Sequence, residues 1–230
     1  MNRDSNIYTI VYASVMVILV AFGLAFTSQS LKSYQKKNED IDKMKQILRS
    51  VRVQATAENA ESLYKELIKE SFLVDENGNK TEGDAFTTDV VKAFAGKKPL
   101  PVYVATVDGS TKYILCMQGA GLWGPLWGYL SIDDDKNTVF GSDFSHAGET
   151  PGLGAEIVTP AFSDQFKGKK LFNAEGEFKS IAIVKPGKTA EGQDYVDGIS
   201  GGTITSSGVD KMLKESVSQY TNYIKLNRGK

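Results

Sequence analysis

The residues best suited to chemistry lie between Asp197 and Thr203, which read DGISGGT and directly precede an amphipathic pattern that runs to the C-terminus. Gly201 and Gly202 allow the backbone to approach a ligand closely, and free amides at a helix start attract phosphate oxygens. Thr203 therefore stands where a phosphate group would lie. The alternative is an ordinary threonine that caps a helix after a glycine loop. These residues taken alone favour the cap.

A second glycine-rich segment, GETPGLG, ends at Gly154. Gly152 and Gly154 remove side chains from a surface against which a planar ring can lie. Nearby, His146 and Glu149 resemble an acid–base pair, but no second histidine, nucleophile elbow or metal spacing completes a hydrolytic site. The histidine is therefore interpreted as structural, and the sequence predicts neither a catalytic residue nor a metal site.

Two other glycine patterns do not indicate nucleotide binding. Residues 119–124, GAGLWG, match GxGxxG, but Pro125 and a short strand-like segment follow where a helix is required. A turn between two strands is predicted there. The GKT at residues 187–189 resembles the end of a phosphate loop, but Ala182 occupies the position of the required first glycine.

Composition excludes several classes of protein. The chain has 27 basic and 28 acidic residues among 230, so it lacks the basic field that nucleic-acid binding needs. The single Cys116 excludes an intrachain disulfide, and with one histidine it falls short of a structural zinc site. A buried thiol is predicted for Cys116.

The N-terminal segment predicts a membrane anchor. Residues 5–31 contain no charged side chain, and the apolar run matches the roughly 20 residues that span a bilayer. We predict a short tail at 1–6 and a transmembrane helix at 7–27. A cleaved signal peptide is the alternative, but the run is longer than the usual apolar region of such peptides. The lysines that follow the helix would favour a cytoplasmic domain by the positive-inside rule. Long domains cross membranes largely regardless of charge, so the orientation stays open.

The rest of the chain predicts an α+β fold with a mainly antiparallel sheet and flanking helices. A stalk or linker helix is assigned to 28–57 and one domain to 58–230. Within that domain, helices are predicted at 58–72 and 84–95, and strands at 102–107, 112–117, 126–133 and 138–144. A strand near 178–184 is expected to join the sheet. The final helix should pack on the sheet through one apolar stripe: Val209, Leu213, Val217, Tyr220 and Ile224.

The order of these segments resembles a known family. The anchor, GAGLWGPLWGYLSID, GETPGLGAEI and DGISGGTIT together resemble the C subunit of sodium-translocating NADH:quinone reductases, over essentially the whole chain. The DxxSGGT of this chain matches the family signature Dxx[ST]G[AG]T, whose last threonine carries FMN through a phosphoester bond. The resemblance thus assigns covalent FMN to Thr203, with Ser200, Gly201 and Gly202 beside it. Gly202 replaces an alanine of many members, a change that the signature tolerates.

The resemblance also implies a role. It implies a single-pass subunit of the bacterial inner membrane, with its domain on the periplasmic side, that works with the other subunits of the complex. Electrons would pass from NADH towards quinone with Na⁺ export, although this chain itself would not bind NADH. A separate flavin transferase would attach the FMN, recognising Asp197 and Ser200. The expected flavin contacts are Glu149, Thr150, Gly152 and Leu153, with Leu122 and Trp123 as further candidates.

Two alternatives remain open from the sequence. The related G subunit of the Rnf electron-transport complex shares the ETPGLG and threonine motifs, whereas GLWGPLWGY is closer to the sodium-pump subunit. The other alternative is a membrane-tethered binding module without redox activity, in which Thr203 only caps a helix.

Overall fold

The N-terminal part of the chain is one long helix. The structure, a computed structural model, describes residues 6–96 and 99–228. Helix α1 (Asn6–Ser50) includes the predicted span and most of the predicted stalk. It begins at the last residue of the predicted tail, and the rest of that tail, 1–5, lies outside the described residues. Within the described part, α1 is the one helix long and apolar enough to cross a membrane, and its side chains from Thr9 to Phe26 are exposed. The chain forms two compact units, divided after Lys43.

The second unit is built on a six-stranded antiparallel sheet, with the strand order β2-β1-β3-β4-β5-β6. The strands are β1 (Ile68–Val74), β2 (Lys80–Thr81), β3 (Leu100–Val107), β4 (Ser110–Ala120), β5 (Pro125–Ile132) and β6 (Val139–His146). The four strands predicted between 102 and 144 are confirmed as β3 to β6. The α+β prediction is confirmed with them.

The sheet is buried on both faces because its central strands carry apolar residues on both sides. In β4, Ile114 and Cys116 belong to one core cluster, while Leu115 and Met117 belong to the other. Successive side chains of a strand point to opposite faces, so this strand divides its apolar residues between two cores. Cys116 is buried, as predicted. Such a sheet needs a covering layer on each side.

Helices provide the two layers. Helix α5 (Thr203–Ser218) and α6 (Thr221–Asn227) contribute to one core, where all five residues of the predicted stripe are buried. On the other face lie Ile47 of α1, Val51 just after it and Tyr64 of α2 (Ala60–Leu67). Helix α3 (Val90–Gly96) contacts both cores, with Val90 packed on this one and Ala93 buried in the first. The remaining elements are short: 3₁₀ turns η1 (Gly154–Val158) and η2 (Asp164–Phe166), α4 (Pro160–Ser163), β7 (Ala182–Val184) and β8 (Tyr195–Asp197).

Four predicted elements differ from the structure. The single final helix is two helices, because α5 ends at Ser218 and α6 begins at Thr221. The helix predicted at 58–72 ends at Leu67, because the residues after it pair with β3 and bury Phe72 in the core. The helix predicted at 84–95 begins at Val90, where Asp89 accepts the Lys92 amide proton at 3.1 Å as an N-cap.

The strand predicted near 178–184 does not join the main sheet. Only Ala182–Val184 is extended, and this β7 pairs in parallel with β8 in a separate two-stranded sheet. The Ile183 amide donates to Asp210 Oδ1 of α5 at 2.8 Å. This hydrogen bond holds β7 beside the helix and away from the sheet.

The end of α1 is fastened to the sheet by polar contacts. Arg49 Nε lies 2.6 Å from Asp143 Oδ1 on β6, and the Asp143 side chain is only 8% exposed. Burial raises the pKa of Asp143, and the Arg49 guanidinium opposes that rise. The Ser131 hydroxyl donates to the Ser50 carbonyl at 2.6 Å, and Trp127 Nε1 donates to Gln46 Oε1 at 3.0 Å. Residues 46–50 are therefore part of the domain.

We predict that Arg49→Met destabilises the domain by about 3 kcal/mol, because it leaves the buried Asp143 carboxyl without its cation. Arg52→Met is the matched control. Arg52 pairs with Asp164 at 2.7 Å, but the Asp164 side chain is 56% exposed, so the change should cost no more than about 1 kcal/mol. Thermal unfolding of the full chain in detergent, followed by circular dichroism, measures both. Equal losses in the two variants would contradict the importance of the buried pair.

Candidate functional site

Three segments that are distant in sequence meet at the N-terminus of α5: the turn 121–124, the segment 149–154 and the loop 198–202. They border a cleft of about 250 Å³, which we call the first cleft. Its lining residues are Leu122, Glu149, Thr150, Leu153, Gly154, Gly201, Gly202, Thr203, Ile204 and Thr205. The structure thus brings most of the predicted site residues together.

Thr203 is the first residue of α5 and is exposed. The N-cap is Gly202, which has no side chain to accept a capping hydrogen bond. The interpretation of Thr203 as the cap is therefore wrong, although the residue does begin the helix. Gly201 has φ +74°, and a Cβ at that position would lie 2.6 Å from Leu153 Cδ2. The left-handed conformation favours glycine there, and a side chain would displace the tip of Leu153.

A second cleft lies on the other side of Thr203, next to β7. It has a volume of about 480 Å³, and its polar lining includes Lys185, Ser200, Ser206 and Ser207. Ser206 Oγ accepts the Ile199 amide proton at 2.9 Å, which holds the loop 198–202 against α5. Thr203 lines both clefts. Its side chain therefore stands at the border between the two clefts.

The first cleft is held together by what we call the Glu149 junction: His146, Glu149, Thr205 and the amide of Trp123. The Thr205 hydroxyl donates to Glu149 Oε2, and the Trp123 amide donates to Oε1 at 2.8 Å. The Glu149 amide in turn donates to His146 Nδ1 at 3.1 Å. Glu149 is only 4% exposed, so these donors replace the water that its carboxylate has lost.

The Glu149 junction favours the ionised carboxylate. Burial raises the pKa of Glu149, but the Thr205 hydroxyl, the Trp123 and Leu122 amides and the nearby His146 together hold it below its ordinary value. Two glycines make room for the carboxylate. A Cβ on Gly121 would lie 2.5 Å from Glu149 Oε1, and one on Gly154 would lie 2.7 Å from Oε2 and overlap the Thr205 hydroxyl.

The other predicted site residues lie close by. Gly152 has φ +75° and donates its amide to Glu156 Oε1 at 3.0 Å, and both Gly152 and Trp123 are exposed beside the first cleft. Ser200 lies in the second cleft, and Asp197 is exposed at the end of β8. The glycine turn predicted at 119–124 is confirmed between β4 and β5. His146 ends β6 and makes a structural contact, as predicted.

Sequence reasoning missed Thr205. The signal was available, because Thr205 lies one helical turn before Val209 and so falls on the buried stripe of α5. A polar residue on a buried face needs a hydrogen-bond partner. That requirement predicts an acceptor such as Glu149, although it does not identify which one.

The arrangement suits a flat aromatic group that carries a phosphate. The wall of the first cleft includes Leu122, Leu153 and Ile204, whose side chains are 42–58% exposed and so can cover an aromatic ring. Thr203 offers a hydroxyl at a helix start, where phosphate is favoured. Among the residues that the structure describes, no group of three metal-ligating side chains occurs.

Comparison with known proteins agrees with this geometry. The model of the FMN-binding domain family matches residues 121–218. The C subunit of the Na(+)-translocating NADH-quinone reductase from Vibrio alginolyticus is 32% identical over 228 residues, which cover 90% of this chain and 89% of the relative.

Two solved structures are also similar. The C subunit of the same enzyme from Parabacteroides distasonis is 65% identical, with a TM-score of 0.82, and the match covers 84% of this chain and 96% of the other. Shewanella oneidensis NqrC is 25% identical, with a TM-score of 0.67, and the match covers 82% of this chain and 99% of the other.

We predict that Gly154→Ala lowers the stability of the domain by about 2 kcal/mol, because the new methyl group overlaps the Thr205 hydroxyl and crowds Glu149. Gly148→Ala is the control, since a Cβ there meets nothing within 4 Å. Thermal unfolding of the full chain compares the two variants. A Gly154→Ala protein as stable as Gly148→Ala would contradict the packing described for the Glu149 junction.

Proposed function

The chain belongs to the family of the C subunit of the Na(+)-translocating NADH-quinone reductase, and from this membership we propose that it carries FMN covalently, through a phosphoester bond to Thr203. It is thus a subunit of an oxidoreductase complex and contains an FMN-binding domain. The observation that best supports covalent attachment is the position of Thr203, exposed at the start of α5 and lining both clefts.

The hydrogen bonding of neighbouring hydroxyls supports Thr203 as the attachment point. Thr205 is buried and donates its hydroxyl to Glu149, and Ser206 accepts the Ile199 amide proton. Both hydroxyls are therefore engaged in holding the fold. Thr203 is exposed, so an enzyme can reach its hydroxyl without opening the domain.

Attachment requires a phosphoryl transfer. We propose that the Thr203 hydroxyl oxygen attacks the FMN phosphorus of FAD. A new O–P bond then forms, the pyrophosphate bond breaks, and AMP leaves with the bridging oxygen. The hydroxyl proton passes to a base. A threonine hydroxyl is a weak nucleophile without such a base, so a separate flavin transferase would supply it. Asp197 and Ser200, both exposed, are the proposed recognition residues.

The first cleft is the proposed site of the isoalloxazine ring. The proposed contacts are Glu149, Thr150, Gly152 and Leu153, with Leu122 and Trp123 on the facing turn. Exposed apolar side chains on the rim support this assignment, because a flat ring would cover them. The bound FMN supplies one-electron and two-electron redox chemistry, and the protein supplies position and electrostatics.

We further propose that the subunit relays electrons from NADH towards quinone, in a complex that couples the transfer to Na⁺ export. The N-terminal apolar helix and the family membership fit a membrane-anchored protein. The domain is proposed to face the periplasm. A covalent flavin suits that side, because a tethered cofactor is not lost where free FMN is scarce. The relatives described above are named as the sodium-pump subunit, and none of them supports the Rnf alternative.

We predict that the full chain, expressed with an active flavin transferase, shows flavin fluorescence on a denaturing gel and that Thr203→Val abolishes it. The valine keeps the shape of threonine but lacks the hydroxyl. Ser207→Ala is the matched control, because it removes an exposed hydroxyl from the same helix and the second cleft and should leave the band fluorescent. A dark wild-type band, or a fluorescent Thr203→Val band, would rule out attachment at Thr203.

The orientation has its own test. A reporter enzyme that is active only in the periplasm, fused to the C-terminus, should be active in cells, because α1 is the proposed single span and the domain follows it. A cytoplasm-specific reporter at the same position should be silent. The reverse pattern would assign the domain to the cytoplasm.

A further inference from the structure

We propose that Glu149 is a fixed negative charge that lowers the reduction potential of the flavin, so that this subunit delivers electrons at a more reducing potential than a neutral cleft would allow. The proposal rests on the proposed function, because it requires the isoalloxazine ring to lie in the first cleft. It assigns Glu149 an electrostatic role in electron transfer in addition to its structural one.

The geometry keeps the carboxylate in place. Each of its oxygens accepts a hydrogen bond, one from the Thr205 hydroxyl and the other from the Trp123 amide. Gly121 and Gly154 leave only enough room for the carboxylate, since a Cβ on either would crowd an oxygen. Donors on both oxygens favour the charged form. The carboxylate is therefore held ionised at the wall of the cleft.

Among the described residues, no lysine or arginine lines the first cleft to compensate this charge. Among the described residues that line the first cleft, Glu149 is the only charged one. His146 faces the Glu149 backbone through its Nδ1, and Lys185 lines the second cleft. Glu149 is therefore the charged side chain that a ring in the first cleft would face among the described lining residues.

Such a charge opposes reduction. Reduction adds electron density to the isoalloxazine ring, and a nearby carboxylate repels that density, most strongly where burial lowers the effective dielectric constant. The oxidised ring carries no negative charge and experiences little of this repulsion. Because the phosphoester is remote from the ring, contacts with the protein must set the potential. Glu149 is the lining residue with the charge to do so.

The test is a redox titration of the full chain carrying covalent flavin. Glu149→Gln keeps the size of the side chain and removes its charge, so the midpoint potential should rise. Glu156→Gln is the matched control: Glu156 also accepts an amide proton in the same segment, from Gly152 at 3.0 Å, but does not line the first cleft. The midpoint potential of Glu156→Gln should shift less than that of Glu149→Gln. An unchanged potential in fluorescent Glu149→Gln overturns the proposal.

A second variant covers the case in which Glu149→Gln fails to fold. Thr205→Val keeps the carboxylate but removes one donor, so Glu149 should ionise at a higher pH. The fall in potential that accompanies this ionisation should then move to higher pH than in the wild type. His146 is present in both proteins, so the difference between the two curves reports the change at Glu149. Superimposable curves would overturn the proposal.

Two readouts separate this proposal from the proposed function. Gel fluorescence reports whether flavin is attached at all, independently of its potential. Thermal unfolding of the flavin-free chain reports the structural role of the Glu149 junction. A purely structural Glu149 would lower the unfolding temperature in Glu149→Gln and leave the potential unchanged. The proposed electrostatic role raises the potential of Glu149→Gln and moves the pH dependence of the potential in Thr205→Val.

Discussion

The buried carboxylate of Glu149 is the interaction on which the geometry of the site depends. A carboxylate that is 4% exposed is stable only with hydrogen-bond donors, and this one draws them from the turn after β4 and from α5. The turn 121–124, the segment 149–154 and the first turn of α5 are thereby tied together. Their relative positions follow from the need to satisfy one buried charge, and glycines at 121 and 154 leave the space that this charge occupies.

The sheet determines where that junction can form. A Cβ on Gly119 of β4 would lie 2.6 Å from the Met212 side chain, and one on Gly208 would overlap the carbonyl oxygen of Ala120. These contacts show that α5 packs very closely on β4. The start of the helix is therefore held at the end of the strand, where the turn to β5 begins. The position of Thr203 is a consequence of close packing far along the same helix.

The two clefts beside Thr203 differ in character, and that difference fits a cofactor with two chemically different ends. One cleft has an apolar rim and the carboxylate of Glu149, and the other has hydroxyls and Lys185. A phosphate at Thr203 would stand between them. In the proposed attachment, a covalent bond would hold the flavin at one end, and contacts at the other end would set its redox properties.

The sequence by itself determined the local elements and the chemistry of single residues. Examples are the apolar N-terminal helix, the strands between 102 and 144, the buried stripe of the last two helices and the DGISGGT loop. These follow from periodicity and backbone preference, which depend on neighbouring residues. Only the tertiary structure decided that 68–74 is a strand, that 182–184 pairs outside the main sheet, and that Glu149 binds Thr205. Such pairings join residues that are far apart in the chain. The sequence can show that a polar side chain on a buried face needs a partner, but it does not show which residue that partner is.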